Sequence, residues 1–566
     1  PHPSPISVPS LPAAVRRRPY FTSLLLLLAF SSVSALSFVP PQSIPYPPDS
    51  AVVALDLLAS SSGDDVRGIV PSPAHPRPSN PLPPAAALWI GRAFRSWLRC
   101  DPSMGVAVGR DPRVSSPSIA AAFRAGCGGR DAGLSTTPSV LEWLLQEGNG
   151  GAGAAMVTAS HLPGEWNGIK LFSGGKGRGL NRTEVAEVMA LAVQLAREAS
   201  EGTAEGGAFG EGDVLDNFMG PYVEKLRSTV IREARDSSDS SDRPLEGMRI
   251  CVNAGNGAGG FFATEVLAAL GADIRDSVYL APDGTFPHHP ANPEDPAHVD
   301  ATILAMANGA EVGVMLDTDV DRCGLVDGTS TRPAPVNKNR LVALCATIAL
   351  DGKATGTVVT DSVTSRQVTQ YIDGELGGTH DRYKMGYRNV IDRAAANPQA
   401  VLAIETSGHS AWADNRYVDD GCYTAAKILG RLALERRVRK QPKMGPLDLL
   451  GGKLGEPEES IKVRMTVQGG LRAVPRAALV VEGALRRRCA TDDKWRMEEV
   501  NHDGLRCAVE LPGGASKGWL IVRSSLHEPI VSVQTEADAV GGTAVICGKM
   551  LDEMRGECEE AGIDMV

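Results

Sequence analysis

Short apolar strands that run into a turn and then into a helix recur along this chain, and that alternation restricts it to α/β layers. "AAALWIGRAFRSWL" reads as a helix, "MGVAVG" as a strand, "SIAAAFRAGC" as a helix and "GAAMVTAS" as a strand. The pattern restarts with "RICVNAGNGAGG", a strand followed by a glycine-rich turn and a helix start. "EVLAALGADI" then reads as helix and turn, and "EVGVMLDTDVDRCGLVDG" as strand, acidic loop, strand. A third round opens at "LVALCATIALDG" and runs through "GTVVTDSV" and "AVLAIETSGHSAW" to the helix "CYTAAKILGRLALERR". The last hundred or so residues read as shorter strands and a terminal helix. At 566 residues the chain is too long for one core, so three or four domains are expected. Linker-like composition in "EASEGTAEGGAFGEG" and "KQPKMGPLDLLGGKLGEPEE" places units at 51–212, 213–330, 331–445 and 446–566. "DSSDSSDR" reads as a solvated insertion.

The first fifty residues read as an address rather than as fold. Arg16, Arg17 and Arg18 precede a short apolar run from Leu24 to Phe30 and a small-residue site, Val33-Ser34-Ala35. The run is shorter than the roughly 20 residues that span a bilayer, and no later stretch reads as transmembrane. A Ser/Pro-rich segment without acids follows until Asp49. With Phe38 near the cleavage site, this resembles a two-part plastid address, and simple secretion is the alternative. The net charge of −10 argues against a nucleic-acid binder. The ten cysteines include no Cys-x-x-Cys pair, so neither a zinc site nor a disulfide framework is indicated, and buried reduced thiols are expected.

Four short stretches carry chemistry. "TASHLPGEWNGIK" (158–170) sets Ser160, His161 and Lys170 around a Pro-Gly turn after a strand. Asp317, Asp319 and Asp321 stand at i, i+2 and i+4 between two strands, a set of hard oxygen donors suited to Mg²⁺ or Ca²⁺. An EF-hand is excluded, because its glycine and glutamate positions hold Arg322 and Gly328. A solvated acidic turn is the alternative for that loop, and Arg322 beside it favours a metal–phosphate site. "IETSGHSAW" (404–412) brings Glu405, Ser407 and His409 to one turn, suited to sugar hydroxyls, or else a glycine-centred connection. "VRSSLHEPI" (522–530) supplies Arg523, Ser525 and His527, donors suited to a phosphate, or else a surface turn stopped by Pro529. The glycines of "NAGNGAGG" match neither a dinucleotide fingerprint nor a Walker loop and read as turn and packing residues.

In this order the stretches resemble the α-D-phosphohexomutase superfamily of phosphoglucomutases and phosphomannomutases. The resemblance covers nearly the whole chain after its N-terminal segment. It rests on "DVRGIV", "VAVGRDPRVSSP", "DAGLSTTP", "TASHLPGEWNGIK", "VNAGNGAGG", "PDGTFPHHPANPED", "DTDVDR", "ETSGH", "DDGCY" and "RSSLHEP". It implies three similar mixed α/β domains and a smaller α+β C-terminal domain around a central cleft. It also implies Mg²⁺-dependent interconversion of hexose 1-phosphate and hexose 6-phosphate through a hexose 1,6-bisphosphate, which also serves as activator. Ser160 would carry the phosphoryl group and, with Asp317, Asp319 and Asp321, meet the Mg²⁺. Arg67, Lys170 and His409 would lie at the transfer site, with Lys170 or His409 moving the sugar hydroxyl proton. Glu405 and Ser407 would grip sugar hydroxyls, and Arg523 and Ser525 the phosphate that stays, with Arg322 also facing substrate.

Four positions depart from the family pattern: Leu162 for Asn, Thr318 for Gly, and Leu526-His527 for Gly-Thr. They leave the serine and the carboxylates in place. His527 is expected to replace the lost hydroxyl as a phosphate donor. Glucose is the expected sugar, then mannose, then glucosamine; the partners are small sugar phosphates, with no nucleic acid and no membrane in the mature form. A catalytically weak sugar-phosphate-binding or regulatory protein is the rival reading, resting on the altered phosphate loop.

Overall fold

In the computed structural model, the described residues are 48–566 apart from 100–104, 147, 150–151, 175–176, 202–212, 237–240, 337, 515, 525–528, 562 and 565–566. The proposed address therefore lies outside the described residues, as do most of the glycine-rich linker and half of the Ser/Asp insertion.

The first sheet has the order β1-β5-β4-β2-β3, with β6 on β5. Its strands are β1 (Val66–Ile69), β2 (Val106–Arg110), β3 (Arg130–Leu134), β4 (Gly153–Val157), β5 (Trp166–Ser173) and β6 (Arg178–Gly179). Strands β4, β2 and β3 run parallel, and β5 returns antiparallel to β4. The helices Pro84–Leu98 and Ser116–Cys127 cross on one side because glycines let their backbones touch. A Cβ on Gly126 would sit 2.0 Å from the Leu88 carbonyl oxygen, and one on Gly91 2.3 Å from that of Phe123.

The second sheet contains β7 (Ile250–Asn253), β8 (Val312–Leu316), β9 (Cys323–Asp327) and β10 (Ala334–Pro335), ordered β10-β9-β8-β7. The third contains β11 (Thr357–Thr360), β12 (Thr379–Arg382), β13 (Ala400–Ile404) and β14 (Ser410–Trp412), ordered β12-β11-β13-β14. One plan runs through all three sheets. A central strand (β4, β8 or β13) lies parallel to one neighbour and turns back through a short loop into an antiparallel partner (β5, β9 or β14). All residues of β4 and β8 are buried, which explains why they read as unbroken apolar runs. The helix expected over "EVLAALGADI" is a short π-helix, Phe262–Leu267, followed by a turn.

Helix Gly220–Ala234 packs on helix Gly421–Val438 so closely that a Cβ on Gly430 would lie 2.7 Å from the Val230 carbonyl oxygen. These helices merge the second and third units into one apolar core, from Tyr222 and Leu226 through Val314 and Leu344 to Leu402 and Leu432.

The fourth sheet, β16-β17-β18-β19-β15-β20, corrects the expectation of shorter strands. β15 (Glu459–Val467) has nine residues, and β18 (Lys517–Ser524) and β19 (Ile530–Ala537) have eight each. The others are β16 (Trp495–Met497), β17 (Leu505–Glu510) and β20 (Ile563–Asp564). Every pairing in this sheet is antiparallel, and helices Val474–Thr491 and Gly542–Ala561 pack against it. Polar residues at alternate positions on β19 broke the apolar runs that made strands conspicuous elsewhere. The described cysteines are free thiols, most of them buried. Among the described residues no helix is long and apolar enough to cross a membrane.

Candidate active site

Each functional loop of the first three units is the turn that follows the central parallel strand, the end at which open α/β sheets bind ligands. Loop 158–165 holds Ser160, loop 317–322 the aspartates, and loop 405–409 Glu405, Ser407 and His409. The acidic loop is held through its backbone by three other segments. Thr137 N donates to Asp319 O at 2.9 Å, Ala258 N to Thr318 O at 2.8 Å and Gly421 N to Val320 O at 3.0 Å. Arg322 and His409 form a β-bridge, and Gly408 has φ +96° where a Cβ would meet the Cys323 carbonyl oxygen at 2.5 Å.

Two side-chain-bearing residues are held in the left-handed region here, Ser160 at φ +52° and Val320 at φ +70°. Such conformations cost of order 1–3 kcal/mol and persist where the surroundings over-determine them. For Val320, complete burial and the Gly421 hydrogen bond supply that constraint.

Ser160 Oγ donates to Asp317 Oδ2 at 3.0 Å, across the boundary between the first and second units. Arg322, 2 % exposed, pairs with the same oxygen at 3.1 Å, bonds Asn292 at 3.3 Å and approaches Ser160 Oγ at 3.5 Å. The structure thus places Arg322 against the serine. Lys170 lies on β5 rather than on the serine's loop, which corrects the sequence reading. It is in register with Met156 on β4. From there its ammonium reaches Asp319 Oδ2 at 2.7 Å and also Asp321 Oδ2. Thr137, which opens helix Thr137–Leu144, donates its hydroxyl to Asp319.

The electrostatics follow from this packing. Burial and the Asp321 charge push Asp317 up to about 8. Burial would also raise Asp321, but Lys170, His409 and Arg322 outweigh it and hold that group below the usual carboxylate range. Burial opposes the charge on Lys170, and Asp319 and Asp321 overcome it, so the ammonium stays protonated well beyond its ordinary value. His409 behaves likewise: burial works against its cation, while Asp419, 2.6 Å from Nδ1, and Asp321 lift it to about 9. The Tyr387 ring stacks on His409 with centroids 4.9 Å apart. His161, 3.4 Å from Ser160 Oγ, is neutral, because burial and then Arg322 and Arg67 push it down to about 2. Arg67 pairs with Asp65 at 2.8 Å and lies within electrostatic reach of Asp319 and Tyr387.

Three carboxylates brought within 4.8 Å of one another fit a divalent cation. Asp319 Oδ1 and Asp321 Oδ1 are buried without a hydrogen-bond partner, an arrangement costly to a protein unless a cation meets them. The donors are all oxygens, which suits Mg²⁺ and disfavours zinc.

Glu405 is tied to the loop ahead of helix Tyr387–Ala395 by Gly386 N at 2.7 Å. Burial and Asp361 raise its carboxyl to about 7, and the Ser407 hydroxyl lies 3.4 Å from it. The same loop, at Lys384–Gly386, forms one wall of a 500 Å³ cavity, and the fourth unit forms the other, with Arg523, Lys462 and Arg464 from its sheet and His502 from the connection between β16 and β17. Arg523 faces Asp503 at 3.2 Å. Ser525 and His527 lie outside the described residues. Sequence reasoning missed Lys384, Lys462, Asp419, Thr137 and Arg113. Of these, Arg113, Thr137 and Asp419 lie in or beside the quoted stretches, but nothing in their spacing marked them.

Three like-built α/β units that turn a serine, an acidic cluster and an Asp-supported histidine toward one another define a phosphoryl-transfer enzyme. Comparison with known proteins narrows the class. The family models described as phosphoglucomutase/phosphomannomutase, alpha/beta/alpha domains I, II and III, match residues 61–195, 221–330 and 337–443. A phosphomannomutase/phosphoglucomutase of Pseudomonas aeruginosa is 28% identical over 482 residues, 84% of this chain and 90% of that protein. A phosphoglucomutase of Neisseria gonorrhoeae is 29% identical over 486 residues, 84% of this chain and 92% of the relative. The crystal structure of a phosphoglucomutase/phosphomannomutase family protein from Burkholderia thailandensis superposes with a TM-score of 0.67 at 25% identity, covering 89% and 98% of the two chains. The chain belongs to the phosphoglucomutase/phosphomannomutase family of the α-D-phosphohexomutases and is an isomerase that transfers phosphate intramolecularly.

Proposed function

We propose that this isomerase interconverts glucose 1-phosphate and glucose 6-phosphate through a phosphorylated Ser160 and a glucose 1,6-bisphosphate. The observation that carries the proposal is the Ser160 Oγ–Asp317 contact inside a cage of cations and unpaired carboxylate oxygens. A phosphoserine brings about −1.5 to −2 charges, and Arg322 stands ready against it, while Lys170 balances Asp319 and Asp321 beside it. Glucose is favoured by the name of the N. gonorrhoeae relative, a phosphoglucomutase, while the name of the P. aeruginosa relative covers mannose as well.

Asp317, Asp319 and Asp321 would hold Mg²⁺ beside Ser160, where it would neutralise phosphoryl oxygens. Phosphoryl transfer depends mainly on positioning and charge stabilisation, and the chain supplies both. Arg523 and its basic neighbours anchor the phosphate that is not moving. Glu405 and Ser407 meet the sugar hydroxyls, which fixes the hydroxyl that faces Ser160. When phosphate returns to Ser160, the P–O bond to the sugar breaks as the bond to Oγ forms, and the Oγ proton passes to Asp317, the carboxylate to which it already donates. The departing sugar oxygen takes a proton from the His409 imidazolium. By microscopic reversibility the same ring, in its neutral minority, accepts the hydroxyl proton in the opposite direction. Lys170 is the poorer proton carrier because, despite burial, Asp319 and Asp321 hold its ammonium well above the ordinary lysine value, whereas His409 is lifted only to about 9. The N-terminal fifty residues are proposed to deliver the enzyme to a plastid; a reporter fused behind them and found outside plastids would refute that.

The test is intact-mass analysis of purified protein, with one phosphate located at Ser160 by peptide mapping, beside turnover of glucose 1-phosphate. Ser160→Ala should remove the phosphate and lower kcat by on the order of 10³-fold or more. A Ser160→Ala enzyme that retains full turnover would refute the assignment.

A further inference from the structure

Arg113 is the fully buried charge that the transfer chemistry leaves unexplained. It is 0% exposed. Its guanidinium points into the loop that carries Ser160. Nη2 donates to Ser160 O and to Leu162 O, each at 2.6 Å. Nη1 donates to Pro163 O at 2.6 Å and to Trp166 O at 3.1 Å. Four carbonyls of one turn therefore converge on one side chain.

The cation is neutralised at its own end of the chain. Nε pairs with Asp111 Oδ2 at 3.0 Å, and Asp111 Oδ1 accepts from Arg113 N at 3.0 Å and Ser116 Oγ at 2.6 Å. Buried charge is tolerated only where it is paired and fully hydrogen-bonded, and this one is. The five donors of a planar guanidinium suit such a fan of carbonyls, whereas an ammonium offers three donors from one point.

Arg113 also touches the second unit. Its backbone forms a β-bridge with Gly284, where a Cβ would lie 2.6 Å from the Arg113 Cα. The Phe286 ring lies over the guanidinium with its centroid 5.2 Å away, and Phe286 is held at φ +47° to put it there. A bulky side chain at positive φ is an outlier that its packing has to sustain. The segment continues to Asn292, which bonds Arg322, the arginine that faces Ser160 and Asp317.

We infer that Arg113 is a positioning residue for phosphoryl transfer: it locks the left-handed backbone at Ser160 and sets that loop in register with the unit that supplies Asp317. Without it, loop 158–165 has the Ser160 N to Thr158 Oγ1 hydrogen bond, at 2.9 Å, as its other side-chain tie to the strand end. Displacing a reacting atom by about 1 Å costs on the order of 100-fold in rate.

The inference rests on Ser160 being the phosphoryl carrier, and one experiment separates the two. Enzyme labelled at Ser160 with ³²P is mixed with excess hexose phosphate, and release of label is followed through a single turnover. The amplitude reports the fraction of competent enzyme, and the rate constant reports alignment, which a loss of folded protein does not change. For Arg113→Lys the rate constant should fall about 100-fold with the KM for hexose phosphate within about twofold of wild type. Phe286→Leu, which keeps the guanidinium and removes the ring above it, should slow the same step about three- to tenfold. That second variant decides the matter if Arg113→Lys does not fold. Wild-type enzyme without label at Ser160 would overturn the carrier reading. A labelled Arg113→Lys or, failing that, Phe286→Leu enzyme with reduced amplitude and a wild-type rate constant would overturn the positioning role and leave the carrier reading standing.

Discussion

Asp420→Asn should change how the stability of this protein depends on pH. Asp420 caps helix Gly421–Val438 and is 0% exposed. Oδ1 accepts from the Tyr222 hydroxyl at 2.7 Å and from Tyr423 N at 2.8 Å, while Oδ2 is buried with no partner. Burial raises the carboxyl to about 7 from an ordinary 3.8, and the Tyr222 and Tyr423 bonds offset only part of the rise. Because the folded value lies above the unfolded one, the folded state holds the proton more tightly. Its contribution to stability is complete below about pH 4 and is lost as pH rises through about 7. At about 1.36 kcal/mol per unit the whole loss is ~4 kcal/mol. Asparagine keeps the Oδ1 acceptor and does not titrate. Urea unfolding of both proteins, followed by tryptophan fluorescence between pH 4.5 and 8.5, measures the difference. Other titrating groups are common to both and cancel to first order. The variant's free energy of unfolding should gain on wild type by about 3–4 kcal/mol across that range, nearly all of it below pH 7.5. A difference that stays constant within about 1 kcal/mol would show that the buried carboxylate is compensated in a way its contacts do not reveal.

Lys170→Met should destabilise the metal-free protein by about 3–5 kcal/mol, since it leaves Asp319 and Asp321 buried without their cation; thermal melts with and without Mg²⁺ should show the variant recovering more on metal addition than wild type does. Chelation should abolish mutase turnover and Mg²⁺ restore it, with wild-type stability rising by about 2.7 kcal/mol at a hundredfold excess over Kd. Retention of full activity after exhaustive chelation would remove the metal from the reaction. Gly421→Ala would place a Cβ 2.4 Å from the Arg322 carbonyl carbon, so it should cost about 1–3 kcal/mol in stability and lower kcat further than the folded fraction explains.

Much of the site was legible in the chain. The apolar runs at β4, β8 and β13 end at the residues that matter, and strand, short loop, returning strand is a local pattern that periodicity reports. Hard carboxylates at alternate positions name their own chemistry, and the ordered set of motifs pointed to the family. Local sequence also determined that Ser160, the aspartates and the Glu405–His409 turn would each lie on a loop. It could not say that those loops meet. Asp317 and Ser160 are 157 positions apart, and only the packing of the first unit on the second brings them within 3.0 Å. Lys170 looked like a loop neighbour of Ser160, but the register of β5 on β4 carries its ammonium to Asp319 and Asp321 instead. Arg113 was one basic residue in a quoted stretch until the turn of 158–165 folded its carbonyls around it. The fused core of the second and third units was equally invisible, because it depends on two helices 200 residues apart. Spacing along a chain records which groups share a strand or a turn. Which buried charges face one another, and therefore which are neutralised, shifted or left waiting for a cation, is decided by contacts between units that share no local sequence.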